Sequence, residues 1–346
     1  MKRLLVTTAG GSGVYPTIEA VKSSRYEVAL TLVDGSELAG ALYEVKEGAV
    51  VPFVDDGRYF CVMERLIRER KIEYLMAPLD EELLLLSRHR AWLEGLGVKA
   101  LLPDEEGMRA TWDKIETYRR LGDMMPESYI LGEVDDPKAL YERLEGRVLL
   151  KPALSRGGRG IVVPEDEEEF LFYFRRFKRK KVPYLIQKLV EGREYNITTL
   201  HEPNGRLVYA LARWKFEGRL IKSGSKASVL LENPRVEAFA LKTLARLGLE
   251  SGFNNVEVIE NEEGIYLIEV NGGRIAAQDM NIVKAGVNYI DLMFDILDGR
   301  PVETPKVAYG MCNLKTSRDI WVHYDEIEKM RERYRENLDR CGPSGR

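Results

Sequence analysis

Two periods of apolar and polar positions alternate along the first hundred residues. Leu4–Thr8 is a short apolar run that reads as a strand and ends in Gly10-Gly11-Ser12-Gly13. Residues 16–24 carry helical spacing, and Val28–Val33 reads as a second strand closing at Asp34. Residues 59–70 place apolar side chains on one face of a helix. Ile72–Ala77 reads as a further strand, and a helix opens at Asp80. Strands alternating with helices in this way predict a parallel, doubly wound sheet.

The rhythm then changes. Residues 103–145 read as mainly helical, and a hairpin-like pair surrounds Val148–Val163. Its middle, Pro152-Ala153-Leu154-Ser155-Arg156-Gly157-Gly158-Arg159-Gly160, is too rich in glycine to be a strand interior. A charged helix over 165–181 leads to a buried strand at Tyr184–Gln187. From Glu194 to about Ile268 alternating segments predict antiparallel sheet, interrupted by a helix at 234–247. The last strand, Gly264–Val270, runs into Asn271. Beyond about 325 a charged helix leads to a tail, expected to fray from Cys341 onward.

Composition narrows the function classes. At 346 residues the chain is too long for one compact core, so two or three subdomains are expected. Charged residues of both signs make up 31%, and the net charge of −4 argues against a nucleic-acid partner, which wants a basic face. Lys and Glu content hints at a heat-adapted source. Cys61, Cys312 and Cys341 form no CxxC pair and cannot all pair within the chain, so reduced thiols and a cytoplasmic location are expected. With only three scattered histidines, a zinc site is not expected. The apolar run after Met1-Lys2-Arg3 is too short for a signal peptide, and no stretch reaches the roughly 18 apolar residues of a membrane span.

The first glycine cluster sits between a strand and a helix, where an anion can bind. A dinucleotide fingerprint fails because Pro16 stands at the third glycine position, and no GxxxxGK[ST] occurs. A tight turn and a substrate contact both remain open readings of it.

Four separated segments carry the chemistry. Asp113-Lys114 heads a helix. Lys151-Pro152 ends a strand just before the loop containing Ser155, Gly157, Gly158 and Gly160. Gln187-Lys188-Leu189-Val190-Glu191-Gly192-Arg193-Glu194 follows. Glu257 precedes Glu269-Val270-Asn271 by twelve residues. A triphosphate needs cations and backbone N–H groups. Lys151 beside glycines without Cβ atoms can supply both. The segment 187–190 can form a flat slot for adenine, and Glu194 suits ribose hydroxyls. Glu269 and Asn271 are two apart on a strand, so they share a face that Glu257 on a neighbouring strand can join. Two carboxylates and an amide on one sheet face make a poor core and a good magnesium site.

Read together, these segments resemble the ATP-grasp superfamily, in particular the branch similar to the carbamoyl phosphate synthase large subunit. Tyr74–Leu83 resembles the linker of that branch's first domain, and Gln187–Glu194 its hinge motif. The resemblance implies an α/β and α+β ATP-grasp fold. A Rossmann-like pre-ATP-grasp domain would span 1–105, a lid subdomain 106–188, a C-terminal subdomain 189–325, and a C-terminal helix and tail 326–346. It implies that Lys114 and Lys151 contact phosphates, that Lys188 and Val190 bind adenine through their backbone, and that Glu194 holds ribose. Glu257, Glu269 and Asn271 would hold two Mg²⁺ ions, with Mn²⁺ as an alternative, and Arg274 would match the arginine just beyond them. Two departures stand out. Asn271-Gly272-Gly273-Arg274 is one residue longer than the family's usual Asn-Pro-Arg, and the glycine loop carries Arg156 and Arg159.

The implied reaction is phosphoryl transfer from ATP to a substrate carboxylate, followed by amine attack on the acyl phosphate. Positioning and charge neutralisation dominate such chemistry. Arg274 is the candidate for the tetrahedral oxyanion. Arg213 and Lys226, flanking a small-residue hairpin at Ser223-Gly224-Ser225, are candidates for the acceptor side or for solvated surface charges. The alternatives are a phosphotransferase on a small molecule and a nucleotide-binding regulator without turnover. The expected partners are a small-molecule carboxylate and an amine, with a homodimer compatible and neither nucleic acid nor membrane expected. The resemblance implies that complete carbamoyl phosphate synthesis, which uses two such units, is not expected of the one unit read here.

Overall fold

A computed structural model describes residues 1–155, 157–216, 227–276, 279–316 and 319–342. Three sheets carry the fold. The first is built from β1 (Lys2–Val6), α1 (Val14–Lys22), β2 (Val28–Asp34), β3 (Glu47–Val50), α2 (Tyr59–Arg70), β4 (Tyr74–Met76), α3 (Asp80–Arg88) and α4 (Arg90–Gly95). Its strands are parallel, in the order β3-β2-β1-β4. Successive residues of β1 go to opposite faces. Leu4 and Val6 enter the core shared with α1, and Leu5 enters the core shared with α2 and α3. A strand buried on both faces is what parallel sheets require. The strand β3 is absent from the sequence reading. It contains Gly48, where a Cβ would lie 2.1 Å from the carbonyl oxygen of Leu42, so close approach rather than an apolar run marks it.

Two helices, α5 (Glu105–Trp112) and α6 (Lys114–Leu121), lead to the second sheet. It contains β5 (Ser128–Ile130), α7 (Pro137–Arg143), β6 (Val148–Pro152), α8 (Glu167–Lys180) and β7 (Tyr184–Lys188), with antiparallel order β5-β7-β6. Helix α8 forms where Asp166 accepts from the Glu169 N–H at 2.8 Å. Its first turn is acidic and its last turn basic, which complements the helix dipole. On this sheet Val148, Leu150, Tyr184 and Ile186 pack against α7 and α8. Lys151 and Gln187, one residue out of phase, face the other way.

The third sheet holds β8 (Arg193–His201), β9 (Leu207–Lys215), β10 (Ala227–Leu230), β11 (Gly252–Glu260), β12 (Ile265–Gly272) and β13 (Cys312–Leu314). Its order is β12-β11-β8-β9-β10-β13, antiparallel throughout. Between β10 and β11, α9 (Pro234–Leu247) falls on the residues that the pattern predicts. Asn233 caps it, Pro234 opens it, and Gly248 at φ 69° ends it. Tyr195, Ile197, Ala212, Val256 and Val270 pack beneath α9, which commits the alternate residues to the opposite face.

The chain then returns to the first sheet. The short α10 (Met280–Lys284) precedes α11 (Tyr289–Leu297), whose Tyr289, Ile290, Met293 and Phe294 join the core over α1. The final helix, α12 (Tyr324–Arg340), lies against the same domain, with Arg331 paired to Glu37 at 2.7 Å. Here two expectations are corrected. Cys61 and Cys341 form a disulfide, so the cysteines are not all reduced, and the tail does not fray at Cys341. The partners lie 280 residues apart and meet only because α12 folds back on α2, which no local spacing encodes. Cys312 is free and exposed. No helix of the described residues is long and apolar enough to cross a membrane.

Candidate active site

Directly opposed residues of an antiparallel pair share a face. Across the third sheet Glu269 opposes Glu257, Glu257 opposes Asn196, and Asn196 opposes Arg213. The next row reads Asn271, Asn255, Thr198, and Glu194 opposes Lys215. One continuous polar face therefore stands opposite the α9 core, as the alternation of β8, β9, β11 and β12 dictates.

Charges on that face are paired. Lys215 bridges Glu194 and Glu257, the latter at 2.7 Å. Burial lifts the Glu194 carboxyl above its ordinary value; Lys215 pulls against this and Glu257 adds to it. Burial would lift Glu257 too, but Lys215, with Arg213 and Arg274 behind it, holds that group low. For Lys215, burial works downward and the two carboxylates outweigh it, so its pKa is raised. Glu269 meets Lys114 at 3.1 Å. Asp113 caps α6 by accepting from the Ile115 N–H at 2.8 Å, and this aims Lys114 at the glycine loop, where it donates to the Ser155 carbonyl at 2.8 Å.

The second sheet supplies the opposing wall. Lys151 is buried, with its ammonium 3.0 Å from Gln187 Oε1 and 3.4 Å from the Ile268 carbonyl. The register of β11 with β12 slips next to Glu257, which leaves Ile268 unopposed and turns its carbonyl toward Lys151. Burial, with Lys114 adding to it and Glu269 opposing it, lowers the Lys151 pKa to about 8. Gln187 is fixed in turn by donating to Ser128 Oγ at 2.8 Å. The loop beyond β6 takes positive φ at Gly157, Gly158 and Gly160 (57°, 70° and 79°), a conformation that favours glycine.

Other expected residues sit less simply. The Lys188 ammonium turns away to Glu145 at 3.2 Å, and its N–H is taken by the Glu127 carbonyl at 2.8 Å, while Val190 lies half-buried just past β7. Arg274 donates through Nε to Asp80 at 2.8 Å and through Nη2 to Asn271. Arg213 is no solvated charge. It is 1% exposed, paired with Asp279 at 2.8 Å and bonded to Asn196, and Thr198 donates to the same Asp279 oxygen at 3.0 Å. Burial raises the Asp279 carboxyl, and Arg213 pulls it back. Arg156, Lys226 and the Ser223–Ser225 segment lie outside the described residues.

Sequence reasoning missed Lys215, Asn196 and Asn255. The signal was there in period 2: Glu194, Asn196 and Thr198 alternate with Tyr195 and Ile197, and Arg213 and Lys215 flank Trp214. The oxygen set suits a hard cation. Glu257 and Glu269 face one another, and the Asn271 amide lies one pleat along. No group of three or more His, Cys, Asp or Glu that could hold a metal occurs among the described residues. Two carboxylates and an amide, completed by phosphate oxygens, are the donors Mg²⁺ takes; softer metals would want imidazole or thiolate. A wide cavity of about 950 Å³ lies between α3, α5 and α6, lined by Arg88, Arg109 and Glu116 rather than by the paired lysines and carboxylates.

Comparison with known proteins gives the arrangement a family. A model described as an ATP-grasp domain matches residues 111–278, and one described as a PylC-like N-terminal domain matches residues 4–101. The carbamoyl phosphate synthase large chain of Clostridium beijerinckii is 26% identical over 204 residues, covering 57% of this chain and 19% of that protein. That of Pyrococcus furiosus is 25% identical over 242 residues, covering 63% and 22%. The chain thus spans about a fifth of the length of the curated relatives it matches. Among solved structures, an L-amino acid ligase from Bacillus licheniformis superposes with TM-score 0.62 at 18% identity, over 88% of this chain and 75% of that one. D-alanine–D-alanine ligase from Bacillus anthracis superposes with TM-score 0.56 at 14% identity, over 86% and 97%. Those identities speak for the fold alone; the two domain matches make residues 111–278 of this chain an ATP-grasp domain, preceded by a PylC-like N-terminal domain over residues 4–101.

Proposed function

We propose that the protein is an ATP-dependent ligase that activates a small-molecule carboxylate as an acyl phosphate and passes the acyl group to an amine, releasing ADP and phosphate. The observation that carries this reading is the apposition of the buried Lys151 with the acidic face of Glu194, Glu257, Glu269 and Asn271. Cations on one wall and hard oxygen ligands on the other are what a magnesium triphosphate needs.

In this reading Lys151 and Lys114 meet the phosphates, and the backbone N–H groups of Ser155, Gly157, Gly158 and Gly160 wrap them. Gln187 holds Lys151, the backbone of Lys188 and Val190 borders the adenine, and Glu194 takes the ribose. Glu257, Glu269 and the Asn271 oxygen would hold Mg²⁺, which would supply charge neutralisation for the transferring phosphoryl group. The substrate carboxylate attacks the γ-phosphorus in line. Arg274 then faces the tetrahedral oxyanion formed when the amine adds. The positive-φ glycine loop closes over the acyl phosphate and excludes water.

The test is a screen for ADP release over amino acids and small amines, with and without hydroxylamine as a generic nucleophile. Release that needs both a carboxylate and an amine, or hydroxamate formation, supports the ligase. Release with a phosphorylated product and no amine requirement would make the protein a phosphotransferase instead.

A further inference from the structure

The first turn of α3 carries two carboxylates with opposite destinations. Glu82 is buried, and it accepts from Thr7 at the end of β1 and from the Tyr59 hydroxyl at 2.6 Å. Those bonds fix the turn to the parallel sheet. Asp80, two residues earlier, reaches out of that domain to Arg274 Nε at 2.8 Å. The same guanidinium donates through Nη2 to the side-chain oxygen of Asn271. Of five guanidinium N–H groups, one on Nε and one on Nη2 are thereby used, and Nη1 has no partner among the described residues.

The backbone between Asn271 and Arg274 is equally held. Gly273 has φ 75°, and a Cβ there would lie 2.7 Å from Pro103 Cγ and 3.1 Å from Leu83 Cδ1. A Cβ on Gly272 would lie 3.1 Å from Met108 Sδ. The two glycines let the end of β12 seat directly on the N-terminal layer, which brings Arg274 within reach of α3. Side-chain exposures of 13% for Asp80 and 25% for Arg274 leave this ion pair partly desolvated, so it orients more firmly than a surface pair.

We propose that Asp80 is a positioning residue for the ligase site. By anchoring and neutralising Arg274, it fixes the Asn271 oxygen for the metal and turns Nη1 toward the reacting groups. The inference rests on the reading of Glu257, Glu269 and Asn271 as magnesium ligands. Without Asp80 the guanidinium is released as an uncompensated cation beside the metal, and both changes weaken Mg²⁺. Groups that orient metal ligands contribute about tenfold or more to metal affinity.

The experiment is calorimetric titration of Mg²⁺ at fixed ADP, together with ADP binding without metal. In Asp80→Ala the Mg²⁺ midpoint should rise about tenfold, with metal-free ADP affinity unchanged. Asp80→Asn keeps an acceptor oxygen and should fall between Asp80→Ala and the wild type. Combining Asp80→Ala with Arg274→Ala should shift the midpoint no further than Arg274→Ala alone, because the two residues act as one unit. A wild-type midpoint in Asp80→Ala, or an equal loss of ADP affinity with and without metal, would overturn the proposal. Glu269→Ala is the control: if it too keeps the wild-type midpoint, the metal reading fails rather than the role of Asp80.

Discussion

Glu257 and Glu269 stand directly opposite each other on neighbouring strands, and each is held by a different lysine, Lys215 at 2.7 Å and Lys114 at 3.1 Å. Unpaired, two carboxylates this close would repel, so the lysines stabilise the face; in the proposed reading a divalent cation would take their place. Glu269→Ala removes the proposed ligand and frees Lys114 without touching the core. Turnover of ATP with its partner substrates should fall at least about a hundredfold, which corresponds to several kcal/mol of lost transition-state stabilisation. The melting temperature without ligand should stay close to wild type. Normal turnover in this variant would remove the magnesium assignment.

Lys151 is buried, so its removal acts through desolvation rather than through a surface charge. Lys151→Met keeps the apolar stem and deletes an ammonium that burial disfavours. The apo protein should melt at the same temperature or higher, although Gln187 Oε1 loses a donor. Nucleotide affinity should fall about ten- to a hundredfold, and stabilisation by added MgATP should shrink with it. Full MgATP stabilisation in the variant would mean that nucleotide binds elsewhere.

The same lysine sets a pH dependence. Its folded-state pKa of about 8 lies below the ordinary 10.5. Between those values the unfolded chain holds a proton that the folded protein lacks, so this group makes stability rise with pH over that window. Below pH 8 Lys151 is charged in both states and its burial penalty is fully present. Phosphate favours the ammonium, so nucleotide affinity should fall as pH rises through 8, and binding at about pH 8.5 should take up a proton. Calorimetry in two buffers of different ionisation heat measures the uptake, and Lys151→Met should abolish it.

Arg213 and Asp279 form an ion pair removed from water on both sides, with side-chain exposures of 2% and 0%. Deleting one partner strands the other. Asp279→Ala should cost about 3–5 kcal/mol, whereas Arg213→Met combined with Asp279→Leu should cost much less than the single variant. Urea unfolding of the three proteins decides this. A mild Asp279→Ala would mean that solvent reaches the guanidinium.

The Cys61–Cys341 disulfide ties α12 to the N-terminal domain. Cys61→Ser, or reduction, should lower the melting temperature by several degrees, in line with about 2–4 kcal/mol for a bridge across a long loop. MgADP affinity should hold, because neither cysteine is among the residues proposed to hold nucleotide or metal. A loss of MgADP binding on reduction would show that α12 acts on the nucleotide site.

What was legible followed from local rules. The 234–247 helix has its cap, its proline and its terminal glycine written in order, and the shared sheet face of Glu257, Glu269 and Asn271 follows from period-2 alternation. Lys215 escaped because a lysine at a strand end looks the same whether it meets solvent or two carboxylates. Arg213 finds Asp279 from 66 residues away, through a register that only the assembled sheet defines. The slip that turns the Ile268 carbonyl to Lys151 depends on how two strands pair, not on either strand alone.

The bridge between α2 and the end of α12 also makes most of the polypeptide a closed ring. A single protease cut anywhere between Cys61 and Cys341 opens that ring without releasing either piece. Nicked protein should run as one band on a non-reducing gel and separate into two only when thiol is added. Digestion followed without reductant would therefore count a cut molecule as whole.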